Sequence, residues 1–115
     1  MREQVRDKGR LEHILQSIEN IFQFTAGVSF DDFKSNKMMR FAVIKNLEII
    51  GEASWKLTNE LREAHSEIEW RKITGMRHVL VHGYYQIEDM FAWEIIEKDL
   101  QPLKEKIEAI YKTIE

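Results

Sequence analysis

Hydrophobic residues recur along the chain at intervals of three and four positions, which is the spacing of one face of an α-helix. The first such segment predicts a helix from about Asp7 to Phe24. After it, Ser29 is a suitable N-cap for a short helical turn that runs through Phe33. The apolar stripe of the first helix consists of Leu11, Ile14, Leu15, Ile18, Ile21 and Phe22.

The second segment, whose apolar residues include Trp55, is apolar on more than one face. It opens at Ser35 or Asn36, either of which suits an N-cap, and it predicts a helix that runs to about Ala64. A helix with apolar residues on several sides lies in the centre of a bundle or at a subunit interface. Gly51, in its middle, costs ~1 kcal/mol relative to alanine, which predicts that another backbone approaches closely there.

Two further helices complete the pattern. The third is predicted from about Glu69 to His82, and the fourth starts near Asp89. Because Pro102 does not fit deep inside an unbroken helix, we expect a kink or restart near Asp99. No segment alternates like a strand. Residues 1–115 therefore predict a single all-α domain, an up-and-down bundle of four to five helices.

Composition narrows the class of protein. The chain has 115 residues, of which 43% are hydrophobic, so it can bury a core and is not expected to be disordered. It contains no cysteine, which excludes disulfides and thiolate metal sites. Its net charge of −3 argues against a protein that coats nucleic acid. A charged N-terminus and short apolar runs predict a cytoplasmic protein without a membrane segment.

The candidate chemistry lies in MRHVLVHGYY, residues 76–85. Histidine exchanges protons near neutral pH, and arginine stabilises charge on a phosphoryl group. Arg77 and His82 together suit metal-free cleavage of RNA, in which the ribose 2′-hydroxyl attacks the neighbouring phosphate. One His82 supplies either the base or the acid, so this chemistry predicts a homodimer with a shared cleft. On a straight helix, however, the two residues diverge by about 140°.

A metal site is an alternative interpretation of the same stretch. His78 and His82 are four positions apart, a common geometry for two zinc ligands. The stretch H-V-L-V-H lacks the glutamate of H-E-x-x-H, and no third ligand is apparent nearby. Glu48 and Glu52 share a face one turn apart, where they either orient Arg77 or are solvated. We therefore expect no metal and no cofactor.

A purely structural interpretation also remains. Arg77 would then be a surface cation that pairs with Glu69 or Glu88. A protonated His82 would be favoured by the dipole at the helix C-terminus. The neighbouring tyrosines would be packing residues with solvated hydroxyls.

The stretch WRKITGMRHVLVHGYY, residues 70–85, resembles the signature of the HEPN superfamily, and specifically of HepT-like toxins from bacterial and archaeal toxin–antitoxin pairs. Their motif R-x-x-x-x-H-x-Y matches Arg77, His82 and Tyr84, with His78 at a position that is often asparagine. Residues 10–21, 41–53 and 93–103 are similar to the family's first, second and last helices.

The resemblance implies an all-α fold and a metal-independent endoribonuclease that acts as a homodimer. Arg77 and His82 would take the catalytic positions, while His78 would contact RNA or have a structural role. The partner would be a minimal nucleotidyltransferase antitoxin that transfers AMP to Tyr84, with Tyr85 as a second possible acceptor. The alternative is a non-catalytic HEPN interaction module that binds a nucleotidyltransferase partner or a nucleotide.

Overall fold

A computed structural model describes the backbone of residues 2–82 and 89–114, and the side chains of residues 6–77 and 90–114. These ranges contain helices and no β-strand, so the all-α prediction is confirmed. The helices are α1 (Arg2–Thr25), α2 (Phe30–Ser35), α3 (Lys37–Lys56), α4 (Asn59–Ala64), α5 (Trp70–His82), α6 (Asp89–Glu94), a π-helical segment (Ile95–Asp99) and α7 (Leu100–Thr113).

Helix α3 occupies the centre of the packing, as its apolar residues on several sides predicted. It packs against α1 on one side and α5 on another, while α7 packs against α1. Buried aliphatic residues from these helices form one core, and the ring centre of Phe33 in α2 lies 5.2 Å from that of Trp93 in α6, with the two planes inclined by 40°. The fully buried core residues include Leu11, Ile14, Ile18, Ile21, Val43, Leu47, Ile50, Leu100 and Ile107.

The predicted caps of the early helices are confirmed. The Ser29 hydroxyl accepts a hydrogen bond from the backbone N–H of Asp32 at the start of α2. Asn36, rather than Ser35, caps α3, and its side-chain oxygen accepts from the backbone N–H of Met39. Each cap satisfies a donor that the first turn of a helix leaves without an intrahelical partner.

The predicted second helix is wrong in one respect, because it does not continue to Ala64. Helix α3 ends at Lys56, and Thr58 begins α4 as an N-cap. The cause is a residue far away in sequence. The buried carboxylate of Asp7 accepts hydrogen bonds from the backbone N–H and from the hydroxyl of Thr58, at 3.0 and 2.7 Å. Arg10 also donates to the carbonyl oxygen of Lys56, so α1 satisfies the polar groups at the break.

The last long helix changes its geometry where Pro102 predicted a disturbance. A π-helical segment ends at Asp99 and α7 begins at Leu100, which places Pro102 in the first turn of α7. Proline is tolerated in a first turn, where backbone N–H groups have fewer helical partners. The expected restart near Asp99 is therefore confirmed, as a change of helix type.

Candidate functional site

Helices α3 and α5 pack closely against each other at Gly51. A Cβ atom added there would lie 2.7 Å from the backbone nitrogen of Arg77 and 3.2 Å from the carbonyl oxygen of Ile73. Both distances are shorter than ordinary van der Waals contacts, so the packing requires a glycine. This confirms the close backbone approach predicted at Gly51, and it places Arg77 directly against α3.

The side chain of Arg77 is held by two residues of α3. Its Nη1 donates to Oε2 of Glu52 at 3.2 Å. Its guanidinium carbon lies 4.1 Å from the centre of the Trp55 ring, which is a cation–π contact. Glu52 and Trp55 are three positions apart on a helix and therefore share a face. One turn of α3 thus holds the guanidinium through two different contacts, a hydrogen bond and a cation–π contact.

The carboxylate of Glu52 has a separate cation for each oxygen. Arg77 contacts Oε2, and the ammonium of Lys56 lies 3.6 Å from Oε1. The hydrogen bond from Arg77, aided by the positive charges of Arg77 and Lys56, lowers the pKa of Glu52 below its ordinary value, although desolvation acts in the opposite direction. Glu52 is consequently ionised at neutral pH and remains an acceptor for the guanidinium.

The remaining N–H groups of Arg77 define what the site can bind. Its Nε is enclosed by protein and has no hydrogen-bond partner among the described residues. The side chain as a whole is 21% exposed, so it is only partly closed off from solvent. Within the described residues, the terminal N–H groups that do not bond Glu52 have no acceptor, and such a held guanidinium suits an oxyanion such as a phosphodiester.

The other predicted residues of the motif are described only in part. His78 and His82 belong to α5, which is helical through His82, but their side chains lie outside the described residues. Tyr84 and Tyr85 also lie outside the described residues. Because α5 is continuous up to His82, positions 77 and 82 are about 140° apart around its axis.

The acidic residues predicted near Arg77 have different partners. Glu52, and not Glu69, pairs with Arg77, and Glu48 pairs with Lys45 at 3.8 Å, while Glu88 lies outside the described residues. Trp55 was predicted only as an apolar residue of the second helix. The signal that points to it is its position four residues after Gly51, but the sequence alone does not reveal which helix approaches that glycine.

Within the described residues, no group of three or more His, Cys, Asp or Glu side chains could hold a metal ion. The two histidines of the metal interpretation are not among those side chains. None of the described helices is long and apolar enough to cross a membrane.

Comparison with known proteins identifies the family. The family model described as "Ribonuclease HepT-like" matches residues 14–110. The chain is 41% identical to "Probable ribonuclease HepT" of Thermococcus cleftensis, over 91% of this chain and 96% of the relative. It is 37% identical to "Putative RNase MJ1380" of Methanocaldococcus jannaschii, over 90% and 94%. The chain therefore belongs to the HepT-like ribonuclease family. No solved structure gave a significant match.

Proposed function

We propose that this chain is a metal-independent endoribonuclease of the cytoplasm and the toxin of a toxin–antitoxin pair. Its family and the ribonuclease names of its relatives support an RNA substrate. The observation that carries the proposal is Arg77, which has the arginine position of the family motif and whose guanidinium is held by Glu52 and Trp55.

RNA cleavage without a metal needs one group that stabilises negative charge and other groups that transfer protons. The ribose 2′-hydroxyl attacks the adjacent phosphorus, the bond to the 5′-oxygen breaks, and a 2′,3′-cyclic phosphate and a 5′-hydroxyl are formed. Arg77 stabilises the negative charge that builds on the phosphoryl oxygens. His82 accepts the proton of the 2′-hydroxyl or protonates the leaving oxygen. This route requires no metal-bound water.

A homodimer supplies both proton-transfer groups. Each chain contributes one His82, and a symmetric pair of chains places two copies along one composite cleft. Large exposed apolar side chains on α3 support an interface there, since Met38, Phe41 and Trp55 are all exposed. These three positions fall within about 100° around α3, on the same face as Glu52.

Regulation by a minimal nucleotidyltransferase antitoxin completes the proposal. AMP transferred from ATP to the phenol of Tyr84, with release of pyrophosphate and the phenol proton, would add a phosphate, and therefore negative charge and bulk, two positions from His82. That charge and bulk would oppose the binding of an RNA phosphate. Tyr85 is the second possible acceptor.

The proposal is tested by incubating the purified chain with single-stranded RNA in excess EDTA. We expect cleavage that persists in EDTA, is abolished in His82→Ala and falls about 100-fold or more in Arg77→Ala, the loss typical of a missing electrostatic stabiliser. His13→Ala is the matched control, because His13 is exposed on α1. Intact RNA under every condition would favour the non-catalytic interaction module. Equal cleavage by His82→Ala would exclude this residue as catalytic.

A further inference from the structure

We propose that Glu52 is a positioning residue, which holds the guanidinium of Arg77 so that its free edge faces a bound RNA phosphate. The inference rests on the proposed ribonuclease function for the identity of the phosphate. The holding contact itself is a property of the described residues, since Nη1 of Arg77 lies 3.2 Å from Oε2 of Glu52.

Three contacts from one stretch of α3 restrain Arg77 in different ways. Gly51 lets the backbone of α5 approach, which sets the starting point of the side chain. The ring of Trp55 lies 4.1 Å from the guanidinium carbon and supports the group on one side. The hydrogen bond to Glu52 fixes the position of Nη1. A long, flexible side chain is thereby oriented before any ligand binds, which is the condition for efficient catalysis by a charged group.

The contact with Glu52 also determines which N–H donors of Arg77 remain available for a ligand. A guanidinium carries five N–H donors, one on Nε and two on each terminal nitrogen. Nε is enclosed by protein, and Nη1 already donates to Glu52. Among the described residues, the two N–H groups of Nη2 and the second N–H group of Nη1 have no acceptor, so the terminal nitrogens are the part of the guanidinium that a phosphate can contact. Donors on both terminal nitrogens match two phosphate oxygens.

The carboxylate of Glu52 is itself oriented. Lys56 lies 3.6 Å from Oε1, while Arg77 contacts Oε2, so rotation of the carboxylate would weaken both ion pairs. A pair formed only for stability would contribute little at this half-exposed position. A substitution of Glu52 therefore distinguishes the two roles. The positioning role predicts a change in the order of the Arg77 side chain rather than in the stability of the fold.

The direct measurement is ¹⁵N relaxation at Nε of Arg77, assigned by its loss in Arg77→Lys. We expect this nitrogen to be rigid in the unmodified chain and to become mobile in Glu52→Ala. Glu52→Gln, which keeps an acceptor oxygen, should restore most of the order. The matched control is Glu19→Ala, because Glu19 has the same side-chain exposure of 46% and pairs with Lys104 at 3.6 Å on the α1–α7 side. Unchanged order at Arg77 in Glu52→Ala overturns the inference.

Kinetics on single-stranded RNA give the second measurement. We expect kcat to fall between tenfold and about 100-fold in Glu52→Ala with a smaller change in KM, since misorientation acts mainly on the transition state. Most of kcat should return in Glu52→Gln. If the unmodified chain cleaves RNA and Glu52→Ala cleaves equally well, positioning is overturned while the ribonuclease stands. If neither the unmodified chain nor any variant cleaves RNA, but the Arg77 side chain becomes more mobile in Glu52→Ala, the proposed ribonuclease function is wrong and the positioning contact stands.

Discussion

Replacing Gly51 by alanine tests the helix approach that places Arg77 beside Glu52. The new Cβ would lie 2.7 Å from the backbone nitrogen of Arg77 and 3.2 Å from the carbonyl oxygen of Ile73. Backbone atoms have no rotamer to change, so α5 as a whole must move. To bring the shortest contact to 3.4 Å, α5 has to move away from α3 by about 0.7 Å.

The magnitude follows from two opposing effects. Overpacking of this kind costs about 1–3 kcal/mol, and alanine gains about 1 kcal/mol over glycine in a helix interior. Because the clash involves backbone, we expect the upper part of the range and a net loss of about 1–2 kcal/mol. Gly75, in the interior of α5, has nothing within 4 Å of an added Cβ. Gly75→Ala should therefore stabilise the chain by about 0.5–1 kcal/mol.

The two alanine variants are compared by urea unfolding at equal protein concentration, because association would otherwise shift the midpoints. Their difference in unfolding free energy isolates the steric effect, since the helix-propensity gain is common to both. We expect Gly51→Ala to be the less stable by about 1.5–3 kcal/mol. Equal stabilisation by both substitutions would show that α5 does not approach α3 at Gly51, and the geometry assigned to Arg77 would fail with it.

Three further predictions concern single side chains. Asp7→Ala should lower the free energy of unfolding by about 2–3 kcal/mol, because Thr58, the N-cap of α4, loses two hydrogen bonds to a charged acceptor. Asp31→Ala, at an exposed position, should change that free energy little in the same urea titration. NMR titration of the Glu52 carboxyl should show its lowered pKa rising toward the ordinary 4.5 in Arg77→Ala. The pairing of Glu52 with Arg77 stabilises the fold above the ordinary pKa of Glu52. That stabilisation is lost as the pH falls through the lowered pKa of the folded state. Co-expression with the nucleotidyltransferase should add the mass of AMP to the chain but not to Tyr84→Phe, and an adduct that persists there would point to another acceptor.

The local signals of the sequence predicted most of the fold. Apolar spacing located four long helical segments, Ser29 and Asn36 marked two helix starts, and Pro102 marked the disturbance before α7. The break at Thr58 was missed because its cause is a buried carboxylate on α1, Asp7. A local pattern carries no information about a partner that lies so far away in sequence.

For the candidate site, too, the sequence predicted individual residues but not how the fold brings them together. Arg77 was identified from its chemistry and its motif, and Gly51 from the cost of a glycine inside a helix. Their meeting was not predictable, because nothing in either stretch specifies that α5 is the helix that approaches Gly51. Without that pairing, Trp55 was only an apolar residue, and Glu52 remained one of two candidates to orient the arginine.

The geometry of α5 bears on how the two motif residues would act together. The side chain of Arg77 extends toward α3, where Glu52 and Trp55 hold it. Position 82 lies about 140° from position 77 around α5, and therefore away from the side that faces α3. A single copy does not place both positions on one side of the helix. This separation supports the proposed composite cleft, in which an arginine restrained within one chain and a histidine of a second chain would act on the same phosphate.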